Sequence, residues 1–278
     1  MSDEPNSNGG GPDHNGRESC PNSGRDNGGF GEILGRSTGR IRNDPLILLP
    51  FALAGIVLSI VDALRLSDPI PTSVTEGVSV ENLSLEFAIY PTGTPGTSLP
   101  FGALVDLKSP YLLWALGLEI ASVLAVSIAG WYTLTRVMGT DLRIDRFLSY
   151  TAFVVSVIVV YRVLGGIGTI QLRGLFGLGI ALVVFVLVVL VFVRLFVVPA
   201  FVVAGNTLPT AVVRSARTTR GNGVSIAGVV LFVGIGGWIL GSAPLVGAFL
   251  STLVIAPLHA VAIVVCWNVC GDHGPLES

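Results

Sequence analysis

The feature that most constrains this chain is the stretch of 51 residues between Arg220 and Asp272, which contains no Asp, Glu, Lys or Arg and a single histidine, His259. A helix needs about 20 apolar residues to cross the ~30 Å hydrocarbon core of a bilayer, so this stretch can cross twice. Of the 278 residues, 12% are charged and 51% are hydrophobic, whereas soluble domains are about 25% charged. The sequence therefore predicts an all-α polytopic integral membrane protein.

The apolar segments predict about six transmembrane helices. Asp44-Pro45 is typical of a helix start, because a capping residue precedes a proline in the first turn. Residues 241–244 read Gly-Ser-Ala-Pro and predict a turn that divides 224–270 into two spans, with a re-entrant hairpin as the alternative. The six predicted spans are residues 46–66, 111–134, 147–164, 174–193, 224–240 and 245–267.

The segments outside these spans differ in character. Residues 1–31 are too polar to bury enough surface to offset the entropy of ordering, so we expect a disordered cytoplasmic tail there, and residues 271–278 form a second cytoplasmic tail. Residues 32–45 form a basic juxtamembrane segment that we expect against the membrane surface. Residues 67–109 form a small extracytoplasmic loop, in which apolar and polar residues alternate over 82–89 and predict one or two short strands.

The distribution of basic residues predicts the orientation. With six spans and a cytoplasmic N-terminus, four of the 16 basic residues lie outside (Arg65, Lys108, Arg162 and Arg173) and the other twelve lie inside. Short cytoplasmic loops carry the excess of Arg and Lys in membrane proteins. We therefore expect a multi-pass protein of the cell membrane with both termini in the cytoplasm.

The segment after the fourth span carries a recurring pattern. It contains Val198-Pro199-Ala200, then Ala211, Ser215 and Thr219-Arg220-Gly221. This pattern resembles the membrane domain found beside glycerophosphoryl diester phosphodiesterases, and prokaryotic membrane families, archaeal ones included, without an assigned activity. In those phosphodiesterases a separate soluble barrel carries out hydrolysis, and no part of this sequence encodes such a barrel, so the resemblance implies a helical membrane domain and no hydrolase activity.

The same region predicts an amphipathic segment over residues 205–221 on the cytoplasmic face. Pro199 should kink or end the fourth helix, because proline removes a backbone hydrogen bond. Arg214, Arg217 and Arg220 recur every three residues along one flank of the next helix. These arginines are candidate contacts for lipid head groups or a protein partner, and the alternative is that they only anchor the topology.

Ionisable side chains inside a membrane are functional candidates. Asp62 and Arg65 are three residues apart near the end of the first span and predict an interfacial ion pair. Glu119 lies well inside the second span and His259 near the middle of the sixth. A Glu119–His259 pair would be a candidate site for proton or cation coupling, and the alternative is that each is satisfied separately. Arg162 is expected to extend from the third span to the interface.

Gly237 and Gly241 are spaced for close helix packing in the fifth span. The sequence shows no phosphate-binding loop, paired-histidine metal motif or nucleophile elbow. We therefore expect no catalytic residue, metal or cofactor, and no nucleic-acid partner. The expected partners are the lipid bilayer and either another membrane protein or a second copy of the chain. The predicted function is a non-enzymatic accessory or assembly component of the membrane, with a small-solute or proton-coupled permease as the alternative.

Overall fold

A computed structural model describes residues 29–68, 70, 72–74, 88–94, 96–99, 108–166, 174–243 and 246–270. The predicted tails at residues 1–28 and 271–278 lie outside this part of the chain, as does most of the alternating segment, residues 82–87. Phe30 and Gly31, which we assigned to the tail, belong to the first helix, and Gly29 is its N-cap.

Within the described residues the chain forms nine α-helices, one 3₁₀ turn at Pro45–Ile47 and a single pair of two-residue strands. The helices are α1 (Phe30–Asn43), α2 (Leu48–Ser67), α3 (Ser109–Met138), α4 (Ile144–Gly166), α5 (Gly174–Leu195), α6 (Val198–Val203), α7 (Leu208–Thr218), α8 (Gly223–Gly241) and α9 (Gly247–Cys270). Six helical segments are long and apolar enough to cross a membrane. The all-α polytopic fold is therefore confirmed, with about six spans.

Residues 224–270 contain two helices rather than one continuous helix. Helices α8 and α9 are separate, and each is long and apolar enough to cross a bilayer. Helix α3 is longer than expected and continues to Met138, where Gly139 ends it in the left-handed region at φ 68°. The amide of Gly139 donates to the carbonyl of Arg136, a helix ending that glycine accommodates without steric strain.

Helix α1 packs on the bundle rather than simply lying beside it. Its apolar face buries Ile33, and it contacts α9 and α8. Phe30 packs edge-on against Phe232 of α8 with 6.2 Å between ring centroids. At the other end of α1, Arg40 donates to the carbonyl of Val137 at 3.1 Å. The basic segment that the sequence places beside the membrane is thus anchored to three helices.

The α7 segment is also fixed to the bundle. The fourth apolar helix is interrupted at residues 196–197, immediately before α6, which carries Pro199 and is fully buried. Helix α7 then folds back, and the Ser215 hydroxyl donates to the carbonyl of Arg194 at 2.7 Å. Arg194 in turn donates to the carbonyl of Ala216 at 3.0 Å. We call this end of the bundle, which also carries the C-terminus of α1, the α7 end.

The opposite end carries the long loop, and we call it the loop end. Strand β1 (Ser73–Val74) pairs antiparallel with β2 (Thr97–Ser98). The expectation of a small β-containing loop is met only by this minimal pair. Residues 88–99 approach the helices closely, since the amide of Thr94 donates to the Ser251 hydroxyl at 2.9 Å. The described residues 88–94 and 96–99 of the loop therefore pack into the bundle between helices.

A candidate binding cavity with a charged end

A cavity of about 1180 Å³ lies among the long helices. Helix α4 packs against α3 and α6, while α5 packs against α8 and α7. Helices α4 and α5 are not among the closely packed pairs of the described part of the chain. Side chains of both line the cavity, including Phe153 and Val157 from α4 and Phe192 and Leu195 from α5. The cavity therefore occupies the gap between these two helices.

The cavity changes character along its length. Its walls at mid-depth are apolar and include Val126 of α3, Val230 of α8 and Ile255 of α9. At the α7 end its lining includes the apolar residues Leu208 and Val212 of α7. At the loop end the lining is polar and charged: Asp62, Arg65, Glu119, Ser122, Arg162 and residues of the loop segment 88–99. The cavity thus runs most of the way between the two ends of the bundle, with all its charged side chains at one end.

The charged end is organised by one carboxylate. Glu119 Oε2 accepts a hydrogen bond from Arg65 Nη2 at 2.6 Å, and Glu119 Oε1 accepts from Arg162 Nη2. The exposed fractions of these side chains are 9% for Arg65 and 24% for both Glu119 and Arg162. Because the three residues come from α2, α3 and α4, the cluster ties three spans together. We call it the Arg–Glu–Arg cluster.

Asp62 lies beside this cluster but has different partners. Its Oδ1 accepts from the Thr97 hydroxyl at 2.5 Å, and its Oδ2 accepts from the amide of Gly96 at 3.0 Å. Arg65 donates instead to Glu119 and, through Nη1, to the carbonyl of Thr97 at 3.4 Å. The structure therefore does not bring Asp62 and Arg65 together as the expected ion pair. Both side chains hold the loop segment. The Asp62 carboxylate accepts hydrogen bonds from Gly96 and Thr97, and the Arg65 guanidinium donates one to the carbonyl of Thr97.

His259 lies near the middle of α9 and is 1% exposed. Its ring stacks on Phe196 with 5.4 Å between centroids and 24° between planes. Neither Nδ1 nor Nε2 has a hydrogen-bond partner among the described residues. Glu119 and His259 line the same cavity, but Glu119 is bonded to arginines and not to His259. The structure thus places both candidates along one cavity without pairing them directly.

Gly237 and Gly241 of α8 leave room for the loop to pack against this helix. A Cβ at Gly241 would lie 2.8 Å from Cβ of Thr94, and one at Gly237 would lie 3.3 Å from Thr94 Oγ1. Gly237 also faces Ile255 of α9 at 3.9 Å, an ordinary contact. The small-residue spacing that suggested helix–helix packing therefore serves chiefly to let the loop reach into the bundle.

Arg214, Arg217 and Arg220 are all exposed, around α7 and just after it. They do not line the cavity, whose lining from α7 consists of the apolar residues Leu208, Pro209, Val212 and Val213. Helix α7 thus presents an apolar side to the cavity and these arginines to its surroundings. That arrangement is the one the amphipathic pattern predicts.

Two features of the site were missed by sequence reasoning. Arg162 was expected to reach the interface, yet it turns inward to Glu119. The available signal was that neither Glu119 nor Arg162 has a counter-charge three or four positions away on its own helix. Both residues also lie toward the same end of adjacent spans. The approach of Thr94 and Thr97 to the bundle had no such signal, because loop residues carry no periodicity.

Within the ranges that the structure describes, no group of three or more His, Cys, Asp and Glu side chains could hold a metal ion. Comparison with protein-family models, curated proteins and solved structures finds no match to this chain. Its function must therefore be argued from its own residues and geometry.

Proposed function

We propose that this chain is a non-enzymatic accessory protein of the cell membrane that binds a lipid-like amphiphile in the cavity between α4 and α5. The observation that carries the proposal is the cavity itself. It is apolar through most of its length and charged at one end. An amphiphile has the same division, with a hydrocarbon chain and a polar head.

The size of the cavity supports a large, apolar ligand. Pockets for drug-sized ligands have volumes of roughly 300–1,000 Å³, and this cavity measures about 1180 Å³. A small polar solute would leave most of its apolar wall unfilled. A hydrocarbon chain would fill it, and burying apolar surface is the main favourable contribution to such binding.

The charged end supports recognition of a polar head. The Arg–Glu–Arg cluster offers guanidinium groups that are held in place by Glu119, with Ser122 and the loop segment 88–99 beside them. Guanidinium groups suit phosphate and carboxylate oxygens, because their planar forks can donate two parallel hydrogen bonds. A head group that carries such oxygens would therefore place its chain along the cavity.

The gap between α4 and α5 is the proposed route of entry. A ligand dissolved in the bilayer could pass between these helices without crossing water. In the orientation we propose, with both termini cytoplasmic, the charged end faces the outer leaflet and α7 the inner leaflet. Arg214, Arg217 and Arg220 would then meet anionic head groups, each contributing about 1 kcal/mol of attraction. The proposed resemblance of residues 198–221 to the phosphodiesterase-associated membrane domain agrees with a non-catalytic role.

The test compares two tryptophan variants on one helix. Val157 lines the cavity, whereas Val155 is 42% exposed and does not line it. We expect lipid retained by the purified protein, detected by native mass spectrometry, to fall sharply in V157W and to match wild type in V155W. Equal lipid retention in both variants, at equal thermal stability, would contradict the proposal.

A permease is the second candidate function, supported by one observation. Glu119 and His259, the two residues suspected of proton coupling, line a single cavity that extends toward both ends of the bundle. Wild-type protein in liposomes should then support proton-linked flux, measured with an entrapped pH dye, and E119Q should abolish it. No flux above that of empty liposomes would leave accessory lipid binding as the supported function, and the proteins that co-purify with the chain would then identify its process.

A further inference from the structure

We infer that His259 is a hydrogen-bonding site for a neutral oxygen-bearing group, a hydroxyl or a carbonyl, on the ligand that occupies the cavity. This inference rests on the proposed ligand binding. It adds that the ligand is an oxygenated hydrocarbon chain rather than a plain one, with a polar group about halfway along its buried length.

The first argument is the depth of the residue. His259 is twelve residues from the start of α9 at Gly247 and eleven from its end at Cys270. At about 1.5 Å per residue, it lies roughly 18 Å along the helix from the loop end. Water is scarce at that depth of a bilayer. A polar group there must find its partner inside the protein or on a bound molecule.

The second argument is that the described residues supply no such partner. His259 is 1% exposed, and neither ring nitrogen has a hydrogen-bond partner among the described residues. Most buried polar side chains are hydrogen-bonded, so one that is not calls for an explanation. His259 lines the cavity, but both of its ring nitrogens are covered by protein atoms, so a ligand reaches them once the ring or its neighbours shift slightly.

The third argument is orientation. One face of the imidazole stacks on Phe196, at 5.4 Å between centroids and 24° between planes. The nitrogens of a ring held this way lie at its edge, where hydrogen bonds form in the ring plane. A neutral imidazole has one N–H donor and one bare nitrogen acceptor. It can therefore donate to a carbonyl or hydroxyl oxygen, or accept from a hydroxyl.

The Arg–Glu–Arg cluster could not serve the same purpose. Its arginines are charged donors whose matching ligands are anionic oxygens, and the cluster lies at the end of the cavity. His259 lies among apolar wall residues such as Ile255 and Val230. The two sites would therefore bind different parts of one ligand. The Arg–Glu–Arg cluster would bind an anionic head at the end of the cavity, and His259 a neutral oxygen at mid-chain.

The experiment uses the full chain in lipid nanodiscs with ¹⁵N-labelled histidine. The chain has three histidines, and His14 and His273 lie outside the six spans. Two probes are compared, dodecan-6-ol and dodecane, which share a carbon chain and differ by one hydroxyl. The His259 signal is identified by its loss in H259F.

We expect dodecan-6-ol to shift the ring-nitrogen resonances of His259 and to leave those of His14 and His273 unchanged. Dodecane should cause no such shift. Binding of radiolabelled dodecan-6-ol should also be about tenfold weaker in H259F than in wild type. That ratio corresponds to ~1.4 kcal/mol, the size of one buried hydrogen bond. Binding of dodecane should differ little between the two proteins.

The inference is overturned if dodecan-6-ol binds to wild type and H259F equally, or if it binds without moving the His259 resonances. Its failure is distinguishable from that of the proposed function through V157W. If lipid retention depends on Val157 but dodecan-6-ol binding does not depend on His259, the proposed lipid binding stands and the mid-chain contact is wrong. If V157W changes neither lipid nor alcohol binding, the cavity is not the binding site and both proposals fall.

Discussion

Removing the carboxylate of Glu119 should destabilise the protein more than removing any exposed acid. In E119Q the shape of the side chain is kept, but Arg65 and Arg162 lose the counter-charge between them. At an effective dielectric constant of 20, two unit charges about 4 Å apart attract by ~4 kcal/mol. Breaking a fully buried pair costs about 3–5 kcal/mol, and breaking an exposed pair costs about 0–1 kcal/mol.

The exposed fractions place this cluster nearer to the buried limit. Arg65 is 9% exposed, whereas Glu119 and Arg162 are each 24% exposed. We therefore expect E119Q to lower the free energy of unfolding by roughly 3 kcal/mol. The coupling of Glu119 to Arg65 should exceed its coupling to Arg162, because the side chain of Arg65 is better shielded from water and from lipid head groups.

The assay is a double-mutant cycle by equilibrium unfolding in detergent micelles, with E119Q combined in turn with R65Q and R162Q. We expect coupling of about 2 kcal/mol for Arg65 and about 1 kcal/mol for Arg162. The same cycle with H259Q should be additive within ~0.5 kcal/mol, since Glu119 and His259 share a cavity but no bond. Additive effects for both arginines, or strong coupling to His259, would refute the assignment of partners.

Three further changes test local packing and charge. A Cβ at Gly130 would overlap the hydroxyl of Tyr150, so G130A should destabilise by about 1–3 kcal/mol, and Y150F should relieve part of that loss in thermal unfolding. In G241A the new methyl would lie 2.8 Å from Thr94, so the loop should loosen and its amides should exchange hydrogen faster. The Arg136 guanidinium, by hydrogen bonding, holds the pKa of the Asp44 carboxyl below its ordinary value. The stabilising contribution of Asp44 is therefore complete above that ordinary value and is lost as pH falls through the lowered pKa, so the acid side of a Tm-against-pH curve should flatten in D44N.

Matched controls exist on the same helices. Nothing lies within 4 Å of a Cβ at Gly117 of α3, so G117A should be neutral or slightly stabilising, because alanine favours helix over glycine by about 1 kcal/mol. A Cβ at Gly223 of α8 would make only an ordinary 4.0 Å contact with Val193, so G223A should leave loop exchange unchanged. If either control is destabilised as much as its test variant, the effect comes from replacing glycine in the backbone and not from a steric contact of the new methyl group.

The helical membrane fold could be predicted from the sequence because it follows from local composition. The 51-residue stretch between Arg220 and Asp272 must form helices in a bilayer, where each backbone polar group has to be satisfied within its own segment. The break near Pro199 and the fold-back of α7 were likewise predictable, since proline lacks the amide hydrogen that a continuing helix needs. These features depend on residues that are close together along the chain.

The site depends on residues that are far apart along the chain. The sequence showed that Glu119 needed a partner, but which of Arg65, Arg162 and His259 would supply it depends on how α2, α3, α4 and α9 are rotated about their axes. No periodicity in lipid-facing helices records that rotation, because apolar side chains cover every face. The cavity has the same origin, since it exists where α4 and α5 do not pack together. The sequence by itself determined the number of apolar helices and the amphipathic segments beside them. Tertiary packing alone decided which buried charges meet and where space for a ligand remains.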